Sequence, residues 1–195
     1  MRASLVGSKS SDRSRNGETL LRLLTALLLV IAVCPFSANA ETIHGRVVSL
    51  SDGDTITILD KANVQYKIRL SGIDAPERKQ AFGTKSRQHL AQVVFGKEVA
   101  VEWHKVDRYK RLLGKVIVNG VDANLEQVRA GLAWHYKYYQ REQSPHDRDA
   151  YAKAEVEARI ARRGLWQDAE PLPPWDYRQI RKGKGRLFPK RAQPP

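Results

Sequence analysis

Arg69, Asp74 and Glu77 fall within a span of nine residues in the segment Ile68-Arg69-Leu70-Ser71-Gly72-Ile73-Asp74-Ala75-Pro76-Glu77. Upstream, Ser51-Asp52-Gly53-Asp54-Thr55 adds more carboxylate, and downstream, Asp107-Arg108-Tyr109-Lys110-Arg111 adds more guanidinium. Two acidic clusters and two arginines, all near the ends of expected strands, point to metal-assisted attack on a phosphodiester. Asp54 and Asp74 are the candidate metal ligands. A hard cation such as Ca2+ takes carboxylate, carbonyl and water oxygens. Two aspartates and a backbone carbonyl near Ala75 make a sparse protein site that water and a substrate phosphate would complete. Glu77, beside such a phosphate, is placed to orient or deprotonate an attacking water. Arg69 and Arg111 are the phosphate candidates, because a guanidinium is planar, always charged and matches two phosphate oxygens. A pair of them would offset the extra negative charge of a pentacoordinate transition state. No EF-hand spacing and no histidine cluster is present, which disfavours zinc. Each piece also has a plainer reading. Asp52-Gly53-Asp54 reads as a hairpin turn, Glu77 as an exposed loop residue, Arg69 as one side of a solvated strand face and Arg111 as one charge in a polar loop. The chemical reading gains weight because all five residues gather around one expected barrel.

The elements that must position them follow from the hydrophobic pattern. Glu41 to Leu50 reads as a strand, Asp52-Gly53 as a hairpin signal in which both residues tolerate positive φ, and Thr55 to Leu59 as a half-buried strand of period two. Val64, Tyr66, Ile68 and Leu70 alternate with Gln65, Lys67 and Arg69, so Arg69 points to the face opposite Ile68 and Leu70. That strand is read as running out into a tight turn before Glu77, where Pro76 biases Ala75 away from helix. A helix is expected from about Thr84, with Leu90, Val93 and Val94 on its apolar side and Gly96 beyond its end. Lys97 to His104 and Leu113 to Val118 read as the fourth and fifth strands. Asp122 caps a short helix that Gly131 ends, and Ser144-Pro145 starts a longer one that carries Tyr151, Ala154, Ala158 and Ala161. Five short strands with a helix between the third and fourth give an α+β, mainly β, fold class: a five-stranded OB-type barrel with three helices.

Composition sets the boundaries. Residues 1–40 carry Arg2, Lys9, Arg13, Arg15 and Arg22, an apolar run from Leu23 to Val33 and an Ala38-Asn39-Ala40 ending. That is the pattern of a secretory signal peptide, so cleavage near Ala40 and export are expected. The run is too short for the roughly 20 residues of a spanning helix. Cys34 is the single cysteine, which leaves the mature chain without disulfides, thiolate metal sites or a cysteine nucleophile. The formal charge of +13 falls to +10 once the five Lys/Arg and two Asp/Glu of residues 1–40 are removed. An excess of that size favours a polyanionic partner, nucleic acid first and anionic lipid second. Residues 41–169 are read as the barrel domain. Residues 170–195 hold six of the nine prolines and a basic run, and are expected to be extended or disordered.

The ordered set Asp52-Gly53-Asp54-Thr55, Ile68-Arg69-Leu70, Gly72-Ile73-Asp74-Ala75-Pro76-Glu77 and Asp107-Arg108-Tyr109-Lys110-Arg111 resembles the staphylococcal nuclease (thermonuclease) family. The resemblance continues through Val128-Arg129-Ala130-Gly131-Leu132-Ala133 to Gly164-Leu165-Trp166 and covers roughly residues 43–166. It implies an OB-type barrel with three helices and Ca2+-dependent hydrolysis of DNA and RNA to 3′-phosphate ends. By motif match it implies Asp54, Asp74 and the carbonyl of Ala75 as metal ligands, Glu77 as general base and Arg69 and Arg111 as phosphate-binding arginines. It further implies that Asp52 supports the metal site from behind and that Tyr109 lines the nucleotide pocket. Ala75 stands where the best-known member has threonine, Lys110 where glycine is usual, and the loop from Arg78 to Phe82 is shorter. Trp134, Tyr136, Tyr138 and Tyr139 lie in the region that stacks on the nucleotide in the family, and pack helices together on the alternative reading. The expected protein is a monomeric, exported endonuclease. The alternatives are a non-catalytic OB-type module that grips nucleic acid and a surface protein that uses its basic tail on anionic lipid or polysaccharide.

Overall fold

The computed structural model describes residues 41–183. The expected signal peptide and the residues after Gly183 lie outside the described residues. β1 (Glu41–Leu50), β2 (Thr55–Leu59) and β3 (Gln65–Leu70) form the expected antiparallel meander. β4 (Ile73–Asp74) follows, then α1 (Gly83–Val94), β5 (Glu98–Val106), β6 (Leu112–Val118) and β7 (Val121–Asp122). α2 (Ala123–Arg129), β8 (Trp134–His135), a 3-10 segment (Lys137–Glu142), α3 (Pro145–Ile160), a second 3-10 segment (Gly164–Gln167) and α4 (Pro174–Arg181) complete the order.

The sheet runs β3-β2-β1-β5-β6-β7 and closes on itself because β3 also pairs with β6, in parallel. The result is a closed five-stranded mixed barrel of the OB type, mainly β. Its interior follows the sequence alternation: Val47, Ile56, Ile58, Ile68, Leu70, Val99, Val101 and Val116 are all buried. Leu90 and Val94 from α1, Val128 from α2 and Tyr151 from α3 extend the same core. Burial of that apolar area is the main driving force for closure. The caps behave as the sequence suggested. The Asp122 carboxylate accepts from the Leu125 amide and also from the Tyr151 hydroxyl at 2.8 Å, and Ser144 accepts from the Asp147 amide.

Three expectations are corrected. Gly53 does not have a positive φ, so the Asp-Gly pair is not a left-handed hairpin turn. Gly53 is needed for space instead, since a Cβ there would lie 1.8 Å from Ser86 Oγ. Next, Ile73–Asp74, read from sequence as part of a turn, is a short strand paired antiparallel with Trp134–His135, and Asp74 faces Trp134 in that register. Finally, the segment after Ala169 is not simply extended. A fourth helix spans Pro174–Arg181, with Pro174 in its first turn and Asp176 near its N-terminus. Proline is well suited to the first turn, where its missing N–H would have no partner, and tertiary contacts described below hold the helix. No helix among the described residues is long and apolar enough to cross a membrane.

Candidate active site

Barrel closure creates the site. β2 and β3 pair with Thr55 opposite Arg69, and β3 and β6 pair with Arg69 opposite Leu113. The start of β2, Arg69 and the start of β6 thereby come side by side, although they are distant in sequence. The loop between β1 and β2 is pinned from below. Gln127 Nε2 on α2 donates to the Gly53 carbonyl at 2.7 Å and to Ser86, while Ser86 Oγ donates to the Leu132 carbonyl at 2.7 Å. The Leu70 amide donates to the Asp54 carbonyl at 2.8 Å. These bonds fix the backbone that carries Asp54.

Asp54 and Asp74 are both buried, at 5% and 1% exposure. Arg69 lies between them: Nη1 is 2.9 Å from Asp54 Oδ2 and Nη2 is 2.9 Å from Asp74 Oδ1. Arg69 Nη1 also donates to the carbonyls of Leu70 and Ile73, each at 3.1 Å. Asp54 Oδ2 accepts from the Ala75 amide at 2.6 Å, and Asp54 Oδ1 accepts from the Thr55 hydroxyl at 3.1 Å. Asp52 Oδ1 accepts from the Asp54 amide at 3.1 Å. Burial pushes the Asp54 carboxyl well above the usual range, Arg69 opposes this, and the charges of Asp52 and Asp74 add to the rise. Burial works against the charge on Arg69, but Asp54, Asp74 and Asp52 outweigh it and hold the guanidinium pKa above its ordinary value.

Arg111 reaches the same patch from the other side. Its Nη1 is 3.5 Å from Thr55 Oγ1, the hydroxyl that donates to Asp54. Asp107 holds it there, with Arg111 Nε 2.8 Å and Nη2 2.7 Å from Asp107 Oδ2. Lys110 adopts φ +60°, the left-handed conformation in which glycine is unstrained. The turn persists because Asp107 Oδ1 accepts from the amides of both Tyr109 and Arg111. Tyr109 is exposed, with the Arg111 guanidinium 5.5 Å from its ring centre. Glu77 is more open than Asp54 and Asp74, with its side chain 34% exposed. The loop after it is compact: Gln80 donates its amide to the Glu77 carbonyl, and Gly83 leaves room for that carbonyl, which a Cβ would approach to 2.0 Å.

The structure therefore brings Asp52, Asp54, Arg69, Asp74, Ala75 and Glu77 into one patch and links Arg111 to it through Thr55. Sequence reasoning missed three contributors. Thr55 connects Asp54 to Arg111, and its position directly after Asp54 was the available clue. Arg178, on α4, donates from Nη1 and Nη2 to both oxygens of Asp74, at 3.1 and 2.6 Å, and from Nη1 to Glu77 Oε1 at 2.9 Å. Trp175 packs on Tyr136 and Trp134 with ring centres 5.4 and 5.6 Å apart. No local signal ties either of the last two to residues so far away in sequence.

The aromatic stretch divides by role. Trp134 is buried, with its ring centre 4.3 Å from that of Trp166, and so serves packing. Tyr138 and Tyr139 are exposed, and Tyr136 lies between them and Trp175.

Among the described residues no group of three or more His, Cys, Asp or Glu has the arrangement of a metal cage. The donors at hand are the carboxylates of Asp54 and Asp74 and the backbone at Ala75. They are all oxygen and few in number, and burial first, with the charges of Asp52 and Asp74 adding to it, raises the Asp54 carboxyl. Such a set fits a hard cation that keeps most of its ligands as water or phosphate. In this conformation Arg178 occupies both oxygens of Asp74.

Comparison with known proteins adds to this geometry. A protein named "Uncharacterized endonuclease" from Haemophilus influenzae is 42% identical over 160 residues, covering 82% of this chain and 86% of that protein. Another of that name from Escherichia coli O157:H7 is 41% identical over 151 residues, covering 77% and 94%. A "Micrococcal nuclease" from Shigella flexneri is 39% identical over 171 residues, covering 83% and 94%. The family model described as "Staphylococcal nuclease homologue" matches residues 67–168, a span that contains Arg69, Asp74, Glu77 and Arg111. With a closed barrel, a carboxylate–arginine patch at the β2–β3–β6 junction and these relatives, the chain belongs to the staphylococcal nuclease homologue family.

Proposed function

We propose that this chain is a Ca2+-dependent, sugar-nonspecific endonuclease that hydrolyses DNA and RNA to 3′-phosphate ends. The observation that carries the reading is the convergence of Asp54, Arg69, Asp74 and Glu77 on one patch, with Arg111 joined to it through Thr55. Asp54, Asp74 and the Ala75 carbonyl would hold the cation, which when bound supplies positive charge against a phosphate oxygen. Glu77, partly open to solvent, takes a proton from the attacking water. The water oxygen bonds to phosphorus, the bond from phosphorus to the 5′ oxygen breaks, and that oxygen takes up a proton as it leaves. Arg111 and Arg69 offset the negative charge that builds on the phosphoryl oxygens. Exposed Tyr109 and Tyr138 offer faces on which a base stacks without sequence preference. The net positive charge favours long polyanions through phosphate contacts, with strong salt dependence. In this reading the first 40 residues are removed on export and the mature chain acts as a monomer.

The test is digestion of single-stranded DNA and of RNA with Ca2+ and then with excess chelator, followed by end analysis. Ca2+-dependent cleavage of both to 3′-phosphate ends is expected. Retained binding without cleavage in any divalent cation would replace this reading with that of a non-catalytic binding module.

A further inference from the structure

The segment after residue 169 docks against the site at four points. The Leu172 carbonyl accepts from Gln80 Nε2 at 2.5 Å, Pro174 is buried, Trp175 covers Tyr136 and Trp134, and Arg178 reaches Asp74 and Glu77. These contacts place one aromatic ring on the tyrosine cluster and one guanidinium on the carboxylates. Both are surfaces that a nucleotide and a cation would otherwise use. Three guanidinium hydrogen bonds converge on Asp74 in this arrangement: Oδ1 accepts from Arg69 at 2.9 Å and Arg178 at 3.1 Å, and Oδ2 accepts from Arg178 at 2.6 Å. A carboxylate offers about four in-plane lone pairs, so with three of them taken Asp74 keeps no more than one for a cation, on the Oδ2 side turned away from the Arg178 fork. The guanidinium and a divalent cation would also repel at this range, with little water between them.

We propose that α4 is a self-inhibiting arm, in which Arg178 holds the cation's place on Asp74 and ties up Glu77 beside it, so that arm docking and cation binding exclude one another. The proposal rests on the Ca2+ reading of the site given above. Two contacts make the arm displaceable rather than fixed. Arg178 has a side chain 38% exposed, and Trp175 is only partly buried, so neither is locked in as Arg69 is, at 15%. By linkage, whatever Ca2+ loses by displacing the arm, the arm loses by yielding to Ca2+.

The test compares Ca2+ affinity by titration calorimetry in the wild-type chain, Arg178→Ala and Arg181→Ala. Arg181 lies exposed on the same helix, so its removal makes the same charge change without touching the carboxylates. Arg178→Ala is expected to bind Ca2+ at least about fivefold more tightly than Arg181→Ala, the lower end of ordinary coupling between sites. Amide hydrogen exchange over Pro174–Arg181 in the wild-type chain provides a second readout that needs no variant, and it is expected to speed up in saturating Ca2+. Equal or weaker binding by Arg178→Ala, or exchange that is unchanged or slower with Ca2+, overturns the arm while leaving the Ca2+ reading intact. Failure of every chain to bind Ca2+ overturns both.

Discussion

Arg69 and Arg178 end on the same carboxylate, that of Asp74, but come from opposite kinds of structure. Arg69 projects from a barrel strand, is 15% exposed, and is held by two backbone carbonyls as well as two aspartates. Arg178 projects from the short helix α4, is 38% exposed, and among the described residues its hydrogen bonds go to the carboxylates of Asp74 and Glu77. The first is part of the fold, since without it two buried carboxylates would face each other. The second can leave, since Asp74 keeps Arg69 when it does. One guanidinium is built in and the other is laid on, and removing each should have a different consequence.

The largest effect is expected from Arg69→Ala. Breaking a buried pair by removing one partner leaves an uncompensated charge and costs about 3–5 kcal/mol. A denaturant melt of this variant within 1 kcal/mol of wild type would erase the distinction between the two arginines. Glu77→Gln probes the other side of the patch, where Arg178 pairs with the carboxylate. Turnover should fall by roughly 10²–10⁴-fold, the usual range for losing a general base, while the melting curve stays in place. Near-wild-type turnover would remove Glu77 from the chemistry. Trp175→Ala strips the arm's apolar anchor from Trp134 and Tyr136. Because the ring is only partly buried, a loss of about 1–2 kcal/mol is expected, below the full value for a large side chain. Arg178→Ala should shift stability by no more than about 1 kcal/mol, because its pairs are discounted for solvent screening.

The smallest effect concerns Asp107, which secures Arg111. Burial raises this carboxyl, but the hydrogen bonds from Arg111 and Tyr109 outweigh it and the net shift is downward. Its contribution to the turn is therefore complete above the unfolded value of about 3.9 and is lost as pH falls through the lower folded value. Carboxyl NMR should show Asp107 titrating below an ordinary aspartate. Titration at or above the ordinary value would mean that Arg111 is not held by this turn in solution.

Much of the site was legible because its parts are local. Period-two alternation placed Ile68 and Leu70 inward and Arg69 on the other face, and the structure has Ile68 and Leu70 buried while Arg69 reaches outward to the aspartates. Asp122 and Ser144 could be read as caps because capping acts over three residues. Gly53 was located correctly for a reason that does not hold. Its role is to let Ser86 approach, which depends on a helix that packs against it only after folding. β4 and β8 are two residues each, too short for any period to register, yet their pairing sets Asp74 against Trp134.

The sequence by itself determined the barrel strands, the helix caps and the carboxylates and arginines that could act together, because hydrophobic period and capping chemistry are properties of neighbouring residues. The tertiary structure decided which of those charges meet. The parallel closure of β3 on β6 brings Arg111 to Thr55 and Asp54, and the return of the C-terminal segment puts Arg178 on a carboxylate 104 residues away. Contacts of that range depend on how the closed barrel turns its faces, and no local pattern in the chain encodes them.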